Sequence, residues 1–229
     1  MIAKAGHYEP IAREGYPFIA PPALLALTSW WFGYPWASLG LLALTVAVIF
    51  FFRNPERIPP EAGGIIVSPA DGTVMQVLEN VRSDNLPGLP LKRISIFMSV
   101  LNTHVNRCPV SGVVKNIKHV SGRFLDARAP ASSLVNEHNS VVLQDHDDTI
   151  EVVQIAGKVA RRIACWVREG DQVRQGERFG LIRFGSRLDV YLPESVRFAV
   201  QVGTTVRAGV TIIATKSAPA SPSSDVPKS

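Results

Sequence analysis

From Gly15 to Phe52 the chain carries no charged residue. A run of that length must be buried in a core or laid against lipid, so it constrains the architecture more than any other feature. Pro21-Pro22 and Gly33-Tyr34-Pro35 punctuate it, giving a first arm from about Pro22 to Phe32 and a second from Trp36 to Phe52. Trp30, Trp31, Tyr34 and Trp36 cluster between the arms, and such side chains favour a membrane–water boundary. Arg53 and Arg57 follow at once, placed to stay with anionic headgroups. A cleaved signal peptide does not fit, because the stretch is too long and lacks a small-residue cleavage site. A pair of buried core helices is the alternative. The reading adopted is a helical hairpin or re-entrant membrane anchor over 1–53, which keeps both ends on the cytoplasmic face.

Residues 54–64 contain Pro55, Pro59, Pro60, Gly63 and Gly64 and read as a linker. From 65 to 215 the pattern is one of short alternating strands separated by Gly, Pro, Asp and Asn, as in an all-β sandwich or barrel. Strands are expected near Ile65–Val67, Thr73–Leu78, Arg93–Val100, Gly112–Val120, Ser140–Leu143, Thr149–Ile155, Ile163–Val167, Arg178–Phe184, Leu188–Leu192, Phe198–Val202 and Val210–Thr215. The irregular stretch through Phe124–Asp126 and Arg128–Asn136 is long enough to suggest a functional loop. From Lys216 onward Ser, Pro, Ala and Lys dominate, which predicts a disordered tail over 216–229.

One decapeptide pattern occurs twice. Val167–Gly176 and Val200–Gly209 both read Val-x-x-Gly-x-x-Val-Arg-x-Gly, with glycines for tight turns and valines returning to the core. This is similar to the turn of biotinyl and lipoyl carrier domains. The fold expected is therefore mainly β, a barrel-sandwich-hybrid-like domain preceded by the hydrophobic hairpin. No Met-Lys-Met or Asp-Lys-Ala element is present to carry a prosthetic group, so the turn speaks for the fold and not for a carrier.

Two cysteines, Cys108 and Cys165, form neither a disulfide framework nor a metal spacing. His104 with Cys108 supplies only two ligands, too few for zinc. A net charge of +5 and a pI near 9.5 suit an anionic partner. Given the N-terminus, an anionic phospholipid membrane is favoured over nucleic acid.

The chemistry centres on Arg183-Phe184-Gly185-Ser186-Arg187-Leu188-Asp189. Alternating apolar residues mark a strand, yet a Gly-Ser pair interrupts it, which by itself signals a bulge or a close backbone approach. The pair has company in Ser68-Pro69-Ala70-Asp71-Gly72, in the strand end Leu101-Asn102-Thr103-His104-Val105-Asn106-Arg107, and in the apolar N-terminus. Together, from about Phe52 to Thr215, these resemble the phosphatidylserine decarboxylases, specifically their short, archaeal-type branch.

The resemblance implies that Gly185–Ser186 is cut by the protein itself, giving a large chain 1–185 and a small chain 186–229 with Ser186 converted to a pyruvoyl group. That covalent cofactor would form a Schiff base with phosphatidylserine, release carbon dioxide and yield phosphatidylethanolamine, with no metal. Asp71 resembles the aspartate that orients a histidine base. His104 matches the first histidine of the His-x-x-His-x-Pro stretch found in longer members, but the second falls on Arg107, which cannot act as a base near neutral pH. Where those members carry Asn-Glu-Arg, this chain has Asn136-Glu137-His138. The expectation is that His138 takes the self-cleavage role with Asp71 while His104 serves decarboxylation. His7, His119 and His146 have no supporting pattern. Arg161, Arg162, Arg168, Arg174, Arg178, Arg183 and Arg187 make the later half basic; those near Ser186 are candidates for the lipid phosphate or carboxylate, and the sequence does not choose among them. A homodimer of cleaved pairs is compatible with the resemblance.

Two other classes compete. A non-enzymatic membrane-anchored module explains the anchor and the glycine turns but leaves Gly185–Ser186 unexplained. A serine hydrolase using Ser186 and Asp71 lacks the Gly-x-Ser-x-Gly elbow.

Overall fold

The computed structural model describes residues 9–129, 132–146, 148–158, 162–183 and 185–216. The expected tail beyond Lys216, together with His7, Arg161 and Phe184, lies outside these. Two antiparallel helices come first, α1 (Tyr16–Trp31) and α2 (Pro35–Phe51), joined through Gly33 at φ 78°. The positive φ is one that glycine adopts without a Cβ penalty. Pro35 opens α2 in the first turn, where its missing N–H is no loss. Pro21 and Pro22 lie inside α1 rather than at its start, so the first arm is longer than expected.

Among the described residues, no helix is long and apolar enough to cross a membrane. The hairpin still leaves its apolar residues bare, with Trp31 85% and Trp36 83% exposed. Its base packs against the β domain. Phe51, Phe52 and Ala12 cluster with Val105 and Leu181, and Phe52 stacks on Phe18 at 5.7 Å. Phe52 is fully buried; truncating such a ring to alanine costs about 3–5 kcal/mol and would loosen the hairpin from the β domain.

The strands are β1 (Ile65–Val67), β2 (Gly72–Ser83), β3 (Leu86–Met98), β4 (Val105–Arg107), β5 (Gly112–Val120), β6 (His138–Asp145), β7 (Asp148–Ile155), β8 (Ile163–Cys165), β9 (Gln172–Val173), β10 (Arg178–Ile182), β11 (Ser186–Pro193), β12 (Arg197–Phe198), β13 (Thr205–Val206) and β14 (Ile212–Thr215). The expected strands over Phe198–Val202 and Val210–Thr215 shorten to β12 and β14, because the glycine turns occupy the rest. The large sheet runs β13-β2-β3-β11-β7-β6-β5-β9, and two small sheets, β4-β10-β8 and β1-β14-β12, complete the domain. One face of the large sheet is apolar, with Val74, Ile94, Ile96, Leu188 and Val190 in the main core. Alternation puts Arg187 and Asp189 on the other face, where Arg187 is buried and bonds both Asp189 oxygens and Ser95.

The sequence repeat is a structural repeat. Gly170 N–H donates to Val114 and Gly203 N–H to Val74, and Gly176 N–H donates to Cys108 and Gly209 N–H to Ser68. The two copies thus bind equivalent places, β9 on β5 and β13 on β2. All four glycines have φ between 76° and 90° or, at Gly209, 72°.

The linker is not a free tether. Arg107 donates to the Pro55 and Gly176 carbonyls, Arg178 donates to Asn54, and Arg57 pairs with Asp71. Arg107, which stands where longer relatives of the resembled family place a histidine, is thereby a buried structural tie. Lys216, expected to begin the tail, is held by Asp145 and Asp148 at 2.7 Å each.

Candidate active site

Ser186 opens β11 and pairs with Met98 at the end of β3. It is fully buried, and its Oγ has no hydrogen-bond partner. Leaving a buried hydroxyl unpaired costs about 1–3 kcal/mol. Gly185 before it has φ 63°, strained for any residue with a Cβ. Its carbonyl oxygen sits against Gly157, where a Cβ would stand only 2.0 Å away. A side chain at 157 would therefore displace the Gly185 carbonyl. Gly157 was not visible as a site residue in the sequence, because it and Gly185 meet only in three dimensions.

His104 stands just before β4, and its backbone carbonyl accepts from Ile182 N–H. β4 lies over the Ser186 face of the large sheet, where Asn106 reaches the Met98 sulfur and accepts from Gln154. The Asn102 carbonyl lies 3.0 Å from His104 Nδ1. A carbonyl only accepts, so Nδ1 carries the proton and Nε2 is left as the basic nitrogen. Nε2 is buried and has no hydrogen-bond partner. Burial, with Arg53 adding to it, lowers the imidazole to about 4 against the opposing effects of the Asn102 carbonyl and Asp71. His104 is thus a neutral, desolvated base at pH 7. Its ring lies 4.2 Å from that of Phe51, at the end of α2.

Asp71 sits in the turn before β2. It accepts from Arg57 on both oxygens, from Ala208 N–H at 2.8 Å, and from Thr103. Burial opposes its ionisation, but Arg57, Ala208 N–H and Thr103 outweigh that and hold the carboxyl below its ordinary value. The structure departs from the expected pairing here. The histidine within reach of the Asp71 charge is His104, through the adjacent Thr103. His138 begins β6 in register with Ile155 and, across it, Arg187. The pleat therefore sends His138 to the Arg187 face and Ser186 to the opposite one. His138 Nδ1 bonds the Asn136 carbonyl at 2.9 Å, and Asn136 in turn ties Leu125 and Ala156. Within the irregular stretch through Phe124–Asp126 and Arg128–Asn136, Ala127 lies against the Gly157 position.

Among the described residues no group of His, Cys, Asp and Glu could hold a metal ion. A pyruvoyl group fits the position of Ser186, which is buried, unpartnered at Oγ and fixed by β3.

The phosphatidylserine decarboxylase family model matches residues 44–214. A phosphatidylserine decarboxylase proenzyme from Beijerinckia indica subsp. indica is 49% identical over 208 residues, covering 90% of this chain and 89% of that protein. An orphaned serine hydroxyl behind a positive-φ glycine, a neutral buried histidine and a match over this much of both chains lead to one conclusion: the protein belongs to the phosphatidylserine decarboxylase family, whose members are pyruvoyl-dependent lyases made as self-cleaving proenzymes.

Proposed function

We propose that the family's decarboxylation of phosphatidylserine is performed here by a membrane-docked enzyme in which Asp71 and His104 drive the cut at Gly185–Ser186. The observation that carries this reading is the packing of Phe51 on His104. The foot of the bare apolar hairpin and the base of the active site are in contact, so a lipid held along the hairpin arrives at the catalytic end.

His104 Nε2 takes the Ser186 hydroxyl proton as Oγ attacks the Gly185 carbonyl carbon. The peptide C–N bond breaks, its nitrogen is protonated, and an ester forms. Removal of the Ser186 α-proton expels the Gly185 carboxylate and leaves dehydroalanine. Tautomerisation and hydrolysis then release ammonia. Asp71 stabilises the protonated imidazole as it forms. Once made, the pyruvoyl group supplies the electron sink for the carbanion left when carbon dioxide departs. In that step His104, once Nε2 has taken up a proton, returns it to the carbanion, and His138 holds the Asn136 carbonyl.

α1 and α2 are about 24 and 26 Å long at ~1.5 Å per residue, short of the ~30 Å hydrocarbon core. We read the hairpin as dipping into one leaflet at the cytoplasmic face of the cell membrane. The β domain is read as a barrel-sandwich hybrid, supported by the two equivalent glycine turns. The homodimer rests on the resemblance alone.

Intact mass under denaturing conditions, followed by incubation with phosphatidylserine vesicles, tests the reading. The expected result is two fragments, the smaller beginning at 186 with a blocked pyruvoyl terminus, and production of phosphatidylethanolamine. An unbroken chain that still turns the lipid over would remove the mechanism.

A further inference from the structure

Arg162 and Arg183 are adjacent across neighbouring strands, one residue beyond the Ile163–Ile182 pair, with Arg183 N–H facing the Arg162 carbonyl at 3.4 Å. Like charges directly opposite one another on a sheet are destabilising. Among the described residues neither makes an ion pair, whereas the other arginines around the site are committed. Arg57 holds Asp71, Arg128 holds Asp126, Arg187 holds Asp189, and Arg53 donates to the Phe50 and Leu101 carbonyls. The acid that faces Arg183 is Glu14, whose Oε1 is taken by the Trp166 indole N–H at 2.7 Å. Two cations against one anion leave the pair with an uncompensated positive charge. Burial and the neighbouring Arg162 also lower Arg183 below its ordinary value, a cost that an incoming anion would relieve.

The surroundings identify the anion. Arg183 lies three residues before Ser186, at most about 10 Å along the chain. On its other side its guanidinium lies 5.4 Å from the centre of the Phe18 ring, in α1. The order from the scissile bond outward is reactive residue, arginine pair, aromatic foot of the hairpin, bare apolar helices. A phosphatidylserine molecule has the same order: amine and carboxylate, then phosphate a few bonds away, then glycerol and acyl chains. We propose that Arg162 and Arg183 form the site for the phosphodiester of the lipid headgroup, an assignment that rests on the decarboxylase reading above. The two planar forks can each offer parallel N–H groups to phosphate oxygens.

Arg162→Gln, Arg183→Gln and the double variant are compared with wild type, all as full-length protein. Intact mass reads maturation first, and phosphatidylserine turnover in mixed micelles reads KM and kcat. Each single variant is expected to mature and to raise KM about 10- to 100-fold with kcat within about threefold, and Arg183→Lys to recover part of the loss. Soluble glycerophosphoserine is expected to inhibit wild type and not the double variant. Inorganic phosphate at the same concentration is expected to inhibit weakly, and phosphatidylglycerol vesicles to bind all proteins alike.

Unchanged KM and inhibition in Arg162→Gln, whose exposed side chain lies far from the cut in sequence, would overturn the proposal even if Arg183→Gln failed to mature. Equal inhibition by inorganic phosphate would make the site one for free phosphate. Loss of vesicle binding in parallel with KM would reduce the pair to a general membrane contact. A cleaved wild-type enzyme that does not act on phosphatidylserine would instead sink the decarboxylase reading itself.

Discussion

Asp71 and Ser111 occupy the same position in the two halves of the β domain. Each precedes the glycine that enters a strand, and each accepts the backbone N–H of the matching residue in a glycine turn. Ala208 N–H reaches Asp71 at 2.8 Å, and Gln175 N–H reaches Ser111 Oγ at 2.9 Å. One site is a neutral turn cap. The other is the same cap made of a carboxylate, with enough capacity left to hold Arg57 and to bias His104.

The two substitutions should separate accordingly. Ser111→Ala loses a hydrogen bond worth about 1 kcal/mol and should mature at the wild-type rate. Asp71→Asn can still accept from Ala208 but loses the charge, and its self-cleavage should slow by about 10³-fold or more. Thermal melts and a denaturing-gel time course of precursor decay check both; equal maturation rates would show that Asp71 is only a cap.

His104 and His138 make opposite predictions. His104→Ala should leave precursor that persists, a loss of at least ~10²-fold in cleavage rate. His138→Ala should cut normally, with lower resistance of the 123–136 loop to proteolysis. Intact mass after a fixed interval reads the result. The reverse pattern would return the base role to His138, as the exchanged Arg107 and His138 first suggested.

The repeat, the hairpin and the Gly–Ser interruption were legible in the sequence because each is a local pattern. The placements of Arg107 and His138 were not. Arg107 is defined by carbonyls of Pro55 and Gly176, remote in sequence, and His138 by which face of a sheet its register assigns it to. The two-residue strands β9 and β13 were hidden inside the repeat, and β4 inside the His104–Arg107 motif. None is long enough to show alternation.

Gly157→Ala tests the long-range contact that no motif revealed. A Cβ there would lie 2.0 Å from the Gly185 oxygen, so the scissile carbonyl must move. The variant should fold, since 157 lies outside the strands, yet accumulate as precursor. Wild-type maturation would mean that the carbonyl has room to shift without consequence.

Acid should act through His104. Its folded pKa of about 4 lies below the ordinary 6.5, so between these values the unfolded chain binds more protons. The stability linked to neutral His104 is complete above about pH 6.5 and is lost as pH falls towards 4, by an amount on the order of 3 kcal/mol. Urea midpoints of Ser186→Ala, which cannot cut, should fall across that window. The same measurement on Ser186→Ala with His104→Phe should be flatter. Parallel curves would show that folding does not shift His104 from its ordinary value.

β11 is hydrogen-bonded to β3 along its whole length and to β7 over Arg187–Tyr191. A cut at its first residue, as proposed above, would therefore remove a covalent bond without removing a strand from the sheet. What changes is the way back. A denatured precursor can regain its sheet by a first-order search, but a denatured mature enzyme must find its central strand on a separate molecule, at a rate set by concentration. Maturation thus turns refolding from a first-order into a second-order event, and the lifetime of the enzyme comes to depend on how slowly β11 is released.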